Sequence, residues 1–168
     1  VSDDAALLHS LAERTFPLAC PPESPPEAIA DFIERQLSAE AFAGYLSAPE
    51  RALYIIEVDG EPSGYTMVIY GEPSEADVVA SVTAHPTAEL SKFYMLAAAH
   101  GSGAAAVLME ATVEAARTRG LAGIWLGVND QNARANRFYE KSGFVTVGRK
   151  RFRLGERWED DFVRERVL

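Results

Sequence analysis

The chain is short of cysteine, histidine and positive charge, and each shortage removes a class of protein. Its one cysteine, Cys20, cannot form an internal disulfide, so no disulfide framework is expected and a reducing, cytoplasmic setting fits best. Cys20 lies among Pro17, Pro21 and Pro22 with no histidine beside it, the surroundings of a bystander thiol rather than a nucleophile. Three scattered histidines form no local ligand cluster, so no metal is expected. With 16 Lys and Arg against 25 Asp and Glu, the net charge of -9 argues against nucleic acid, which demands a basic face. No uninterrupted apolar run reaches the roughly 18 residues of a membrane span. The start, Val1-Ser2-Asp3-Asp4, lacks the basic-then-apolar build of a signal peptide, and none is expected.

What is present is enough apolar material for one sizeable core: 48% of 168 residues. Ala6, Leu7, Leu8, Leu11 and Ala12 recur at helical spacing, predicting a helix over Asp3 to Phe16 that Pro17 closes. Ser24-Pro25-Pro26-Glu27 reads as a capping box opening a second helix through about Leu37, and Ser38 as the cap of a third through Leu46. Leu53 to Val58 and Ser63 to Tyr70 then alternate as two strands around the turn Asp59-Gly60. Gly71 to Asp77 reads as a loop, and Val78 to Thr83 as a short strand or irregular insertion. Strands over Glu89 to Leu96 and Ile124 to Val128 alternate with helices over Ala104 to Arg119 and Asn132 to Ser142. Two closing strands, Phe144 to Arg153 and Trp158 to Leu168, complete the order. Such an order predicts an α/β or α+β fold around one mixed sheet. No repeat, low-complexity stretch or linker interrupts it.

Two motifs carry the chemistry. After the apolar run Phe93-Tyr94-Met95-Leu96 comes a small-residue loop, His100-Gly101-Ser102-Gly103-Ala104-Ala105, that opens a helix. Unpaired N–H groups and the positive end of the macrodipole make such a place an anion site, and glycine lets a phosphate approach the backbone. One helix and one strand later stands Asn132-x-x-Ala135-x-x-Phe138-Tyr139-x-Lys141-x-Gly143-Phe144. Asn132, Asn136 and Tyr139 fall at helical spacing on one face.

Together these motifs resemble those of the GNAT superfamily of N-acetyltransferases, over roughly residues 50 to 168. In that resemblance His100 takes the place of an arginine or glutamine, Gly103 that of the first required glycine and Ala105 that of the last small residue. It implies a single N-acetyltransferase domain over residues 1–168, with a mostly antiparallel sheet splayed at the cofactor strand and flanked by helices. It implies acetyl-CoA as cosubstrate, paired with the main chain of Phe93, Tyr94 and Met95 and held at its pyrophosphate by His100, Gly101, Ser102, Gly103, Ala104 and Ala105. Asn132 and Asn136 would line the cofactor, Lys141 is a candidate phosphate contact, and Tyr139 would protonate the departing thiolate. Smaller features, from Ile124-Trp125-Leu126-Gly127-Val128 to Phe152-x-x-Gly155 and Asp161, are similar to the PaiA-type spermidine/polyamine branch.

An alkylammonium must lose a proton before it can attack, and its pKa of about 10 calls for a base. Glu89 is the first candidate and Glu57 the second, and the base stays open. The expected acceptor is a small-molecule primary amine such as a polyamine, which an acidic protein would attract. A protein N-terminus, an aminoglycoside-like amine or a non-catalytic acyl-coenzyme A module are the alternatives. No nucleic-acid or membrane partner is expected, and a homodimer is left open.

Overall fold

The computed structural model describes residues 3–168. The chain builds six helices, α1 (Asp3–Ala19), α2 (Pro26–Gln36), α3 (Ala39–Ser47), α4 (Ala76–Val79), α5 (Ala104–Thr118) and α6 (Ala133–Lys141). Its strands are β1 (Arg51–Val58), β2 (Glu61–Tyr70), β3 (Thr87–Met95), β4 (Gly123–Asn129), β5 (Val145–Leu154) and β6 (Arg157–Val167). They form one sheet in the order β1-β2-β3-β4-β6-β5, in which only β3 and β4 run parallel. The expected mixed, mostly antiparallel sheet with flanking helices is the fold found.

Strand burial on both faces explains the layering. Val68, Ala88, Leu90, Ile124, Leu126 and Val128 pack on one face against Met109 and Val113 of α5 and Tyr139 of α6. On the other face Tyr65, Tyr94, Phe152 and Leu154 meet Leu8, Leu11 and Phe16 of α1 and Phe32 of α2. The β1–β2 turn forms as its residues require, with Asp59 and Gly60 both at positive φ.

Three local expectations are corrected. Helix α1 continues past Pro17, which removes only the N–H bond to the carbonyl of exposed Glu13, a group water can satisfy. Ser24 does not cap α2: the backbone carbonyl of Pro25 accepts from Ala28 and Ile29, and the buried Ser24 hydroxyl has no hydrogen-bond partner among the described residues. The stretch expected as a short strand or irregular insertion from Val78 begins in the short helix Ala76–Val79, and Val78 and Val82 fold down together onto Trp125 and Val163. Its exit is anchored by Glu165, whose carboxylate accepts from Thr83 N, Thr83 Oγ1 and Ala84 N at 2.7–2.9 Å.

One irregularity shapes the site. Met67 opposes Lys92 but Val68 opposes Leu90, so Ser91 is an extra residue on β3. Such a bulge bends and twists its strand. Pairing of β3 with β4 stops just before it, at Glu89 and Trp125. Beyond that pair the two parallel strands diverge, and β4 continues with β6 as far as Asn129 and Asp161.

Candidate active site

The divergence opens a cavity of about 430 Å³ between β3 and β4. Phe93, Tyr94 and Met95 are paired to β2 on one edge only, so their other edge faces the cavity as an unpaired strand. These are the residues expected to offer main-chain pairing.

At the end of that edge a 3-10 turn (Ala97–Ala99) leads into the glycine loop. Gly101 and Gly103 have φ of 81° and 87°, values that a side chain would strain, and Gly103 is the N-cap of α5. The N–H groups of Gly101, Gly103 and Ala105 have no acceptor among the described residues. Ser102 is used differently from the expectation: its hydroxyl donates to Ala99 O at 2.7 Å and accepts from Ala104 N at 3.2 Å. It stiffens the loop, and its proton is already committed.

His100 is exposed at the cavity mouth, where its Nδ1 lies 2.9 Å from Arg134 Nη1. Arg134 belongs to the first turn of α6, and it puts a guanidinium beside the loop in which His100 holds an arginine's place. Sequence reasoning missed it, although its position two residues after the cap Asn132 was a signal. The Asn132 side chain accepts from Ala135 N at 3.1 Å and so caps α6, while its residue still lines the cavity.

Tyr139 lies on the buried face of α6, 9% exposed, with its ring edge-on to Phe93 and Phe144. It lines the cavity, and its hydroxyl has no hydrogen-bond partner among the described residues. Burial raises its pKa, so the phenol is neutral and can donate.

Three expected residues lie elsewhere. Asn136 is 7% exposed and does not line the cavity: its Nδ2 donates to Asn129 O and Asn132 O, and its Oδ1 accepts from Arg164 Nε at 2.9 Å. It is a strut joining α6 to the ends of β4 and β6, because a buried carboxamide must find partners. Lys141 ends α6, exposed and a full helix length from the capped end, so it does not reach the cavity. Glu57 is exposed on β1, the edge strand, outside the cavity.

Glu89 does line the cavity, at the foot of the divergence, where burial raises its pKa against the opposing pull of Lys150 and Lys92. Lys92 is itself pushed down to about 8 by burial. Two further carboxylates were not foreseen as site residues. Glu159 and Asp161, on the same face of β6, are 6% and 7% exposed and line the same cavity. Burial raises Asp161 to about 7. Phe16, Phe32, Tyr94 and Phe152 wall this side, with Cys20, whose thiol burial pushes up to about 11, a protonated neighbour.

An open strand edge, a loop of free amides at a helix start and a neutral phenol between them suit an acyl-coenzyme A transferase. The model of the acetyltransferase (GNAT) family matches residues 7–144, and the chain belongs to that family of acyl-coenzyme A-dependent enzymes that acetylate amines. A protein of Mycobacterium tuberculosis (strain ATCC 25618 / H37Rv), described as an uncharacterized N-acetyltransferase, is 46% identical over 165 residues, 98% of each chain. The PaiA N-acetyltransferase from Thermoplasma acidophilum, solved in complex with coenzyme A, has a TM-score of 0.76 at 18% identity, covering 99% of this chain and 94% of that one. The ribosomal-protein-S18-alanine N-acetyltransferase from Escherichia coli reaches 0.68 at 17% identity, covering 100% of this chain and 90% of that one. At such identities the likeness is one of fold. Among the described residues there is no helix long and apolar enough to cross a membrane.

Proposed function

We propose that the enzyme transfers acetyl from acetyl-CoA to a small primary amine, with a linear polyamine as the favoured acceptor, by direct attack in a ternary complex. The observation that carries this is the unpaired edge of Phe93–Met95, which runs from the glycine loop past Tyr139. A pantetheine arm fits that edge as an added strand would, with its amides meeting free main-chain groups. The N–H groups of Gly101, Gly103 and Ala105, with Arg134 and His100, hold the pyrophosphate, and Tyr139 gives its proton to the departing thiolate.

A cationic acceptor is supported by the carboxylates of the opposite face. Glu89, Glu159 and Asp161 line the main cavity, and Glu89 also lines a second cavity of about 170 Å³ together with Glu72 and Glu75. A chain of acidic groups running through two adjoining spaces suits an amine with more than one ammonium. Lys150 and Lys92 also line the main cavity, but Lys150 is ion-paired to Glu75 at 3.0 Å, and burial weakens the charge of Lys92.

A thiol-release assay with acetyl-CoA and a panel of spermidine, phenethylamine, an aminoglycoside and an alanine-terminated peptide tests the reading. Highest kcat/KM on spermidine is expected. Turnover of the peptide alone would replace the polyamine, and coenzyme A binding with no turnover of any amine would replace the enzyme by a binding module.

A further inference from the structure

We propose that Asp161 is the general base that takes the proton from the acceptor's ammonium, an inference that rests on the transferase reading of the cavity above. It lies on β6, outside residues 7–144 that the family model matches.

The geometry of β4 brings it in. Asp161 is the cross-strand partner of Asn129 on β4, and its carboxylate leans over Gly127. A Cβ added at Gly127 would come within 3.2 Å of Asp161 Oδ2 and 2.9 Å of Lys150 Cε. The missing side chain of Gly127 is therefore what lets the carboxylate lie across the diverged part of β4. That part faces the open edge of β3, where the reaction is placed. Glu89 sits instead at the last paired position, four residues before Phe93, or roughly 13 Å along the strand.

Like Glu89, Asp161 has no direct neutralising partner among the described residues. Among the described residues its oxygens have no hydrogen-bond or ion-pair partner, whereas Lys150 is taken by Glu75 and Asp130 by Arg149 at 3.1 Å. Next along the same face, the Oε1 of Glu159 is buried with no hydrogen-bond donor, its nearest cation being Arg157 Nε at 3.5 Å. A buried carboxylate oxygen lacking a donor, beside a second carboxylate in one cavity, is a receptor for an N–H group brought by a ligand. Aromatic side chains of Phe16, Tyr94 and Phe152 line the same cavity.

The groups that set its titration come from every neighbouring element. Burial comes first; Lys150 of β5 opposes it, and Asp130 at the end of β4 with Glu159 and Asp160 of β6 reinforce it. From β3, Tyr94 is raised by burial and then by Tyr139 of α6, Cys20 after α1 and Asp161, and it lines the same cavity as Tyr139 and Asp161. A carboxyl near neutrality is matched to a base working at neutral pH.

The proton count closes. Asp161 takes one proton from the ammonium, and the freed nitrogen lone pair forms the C–N bond to the acetyl carbonyl carbon. The C–S bond breaks with its electron pair left on sulfur, which takes a proton from Tyr139. The second N–H proton of the former amine returns to the Tyr139 oxygen, and Asp161 releases its own proton to water between turnovers.

The test is the pH profile of Asp161→Asn, using whichever of the panel amines has the highest kcat/KM. Wild type is expected to show an acidic limb with a midpoint near 7, and the variant to lose that inflection and fall about 100- to 1,000-fold in kcat/KM with coenzyme A affinity unchanged. The variant's rate should then rise about tenfold per pH unit, following the fraction of free amine. An unchanged limb in Asp161→Asn, or its loss in Glu89→Gln instead, would overturn the assignment. If no amine turns over, the transferase reading fails separately. Carboxyl carbon NMR of the coenzyme A complex is the check apart from turnover: an Asp161 titrating near 4 overturns the base assignment even where the transferase reading holds.

Discussion

Arg134 Nη1 and His100 Nδ1 lie 2.9 Å apart, so the first turn of α6 is tied to the loop that opens α5. The imidazole accepts from the guanidinium and aims it, leaving the remaining guanidinium N–H groups for an anion. Arg134→Ala should raise the Kd for coenzyme A about tenfold, the equivalent of about 1.4 kcal/mol. His100→Ala should raise it less, because the cation itself remains. Isothermal titration checks both, and equal small effects would place Arg134 outside the anion site.

Tyr139→Phe keeps the ring that packs on Phe93 and Phe144 and removes only the hydroxyl. A 10- to 1,000-fold lower kcat with nearly unchanged coenzyme A affinity is expected from stopped-flow thiol release. A normal kcat would take Tyr139 out of the acid role.

Gly64 stands opposite Met95 on the paired edge of β3. A Cβ there would meet Met95 Sδ at 2.4 Å and Tyr94 O at 2.7 Å, and the second contact is backbone. Gly64→Ala should cost about 1–3 kcal/mol, lowering Tm by several degrees, and push β3 toward the cavity. Calorimetry and KM for acetyl-CoA should move together.

Stability should also report on Asp161. Its folded pKa of about 7 exceeds the roughly 4 of an unfolded aspartate, so between these values the folded state binds more protons. The contribution to stability therefore falls as pH rises from about 4 to 7 and stays low above that. Asp161→Asn should be more stable than wild type by about 1–3 kcal/mol at pH 8 and nearly equal at pH 4. Urea unfolding at the two pH values measures this, and a variant equally destabilised at both would show that burial does not strain the carboxylate.

What was legible in the sequence was local. The glycine loop is a contiguous stretch whose backbone needs appear in its own residues, and it opens α5 where expected. Asp161 and Glu159 were hidden because β6 enters between β4 and β5, a pairing that no short window of sequence records. Asn136 misled for a related reason: its helical position was right, but Arg164, 28 residues away, claims its carboxamide. Ser24 failed as a cap because two prolines already set the backbone at the start of α2.

Before Ser91, the even-numbered residues Ala88 and Leu90 turn toward α5 and α6; after it, the odd-numbered Phe93 does, and Tyr94 turns toward α1. A strand alternates strictly, so one surplus residue reverses the parity of everything that follows. Were β3 to run regularly through Ser91 with no bulge, Tyr94 would turn toward Tyr139 and Phe93 toward Phe16. The bulge thus decides which ring turns to each side of the cavity, and straightening the strand through it would rewrite the lining while leaving its composition intact.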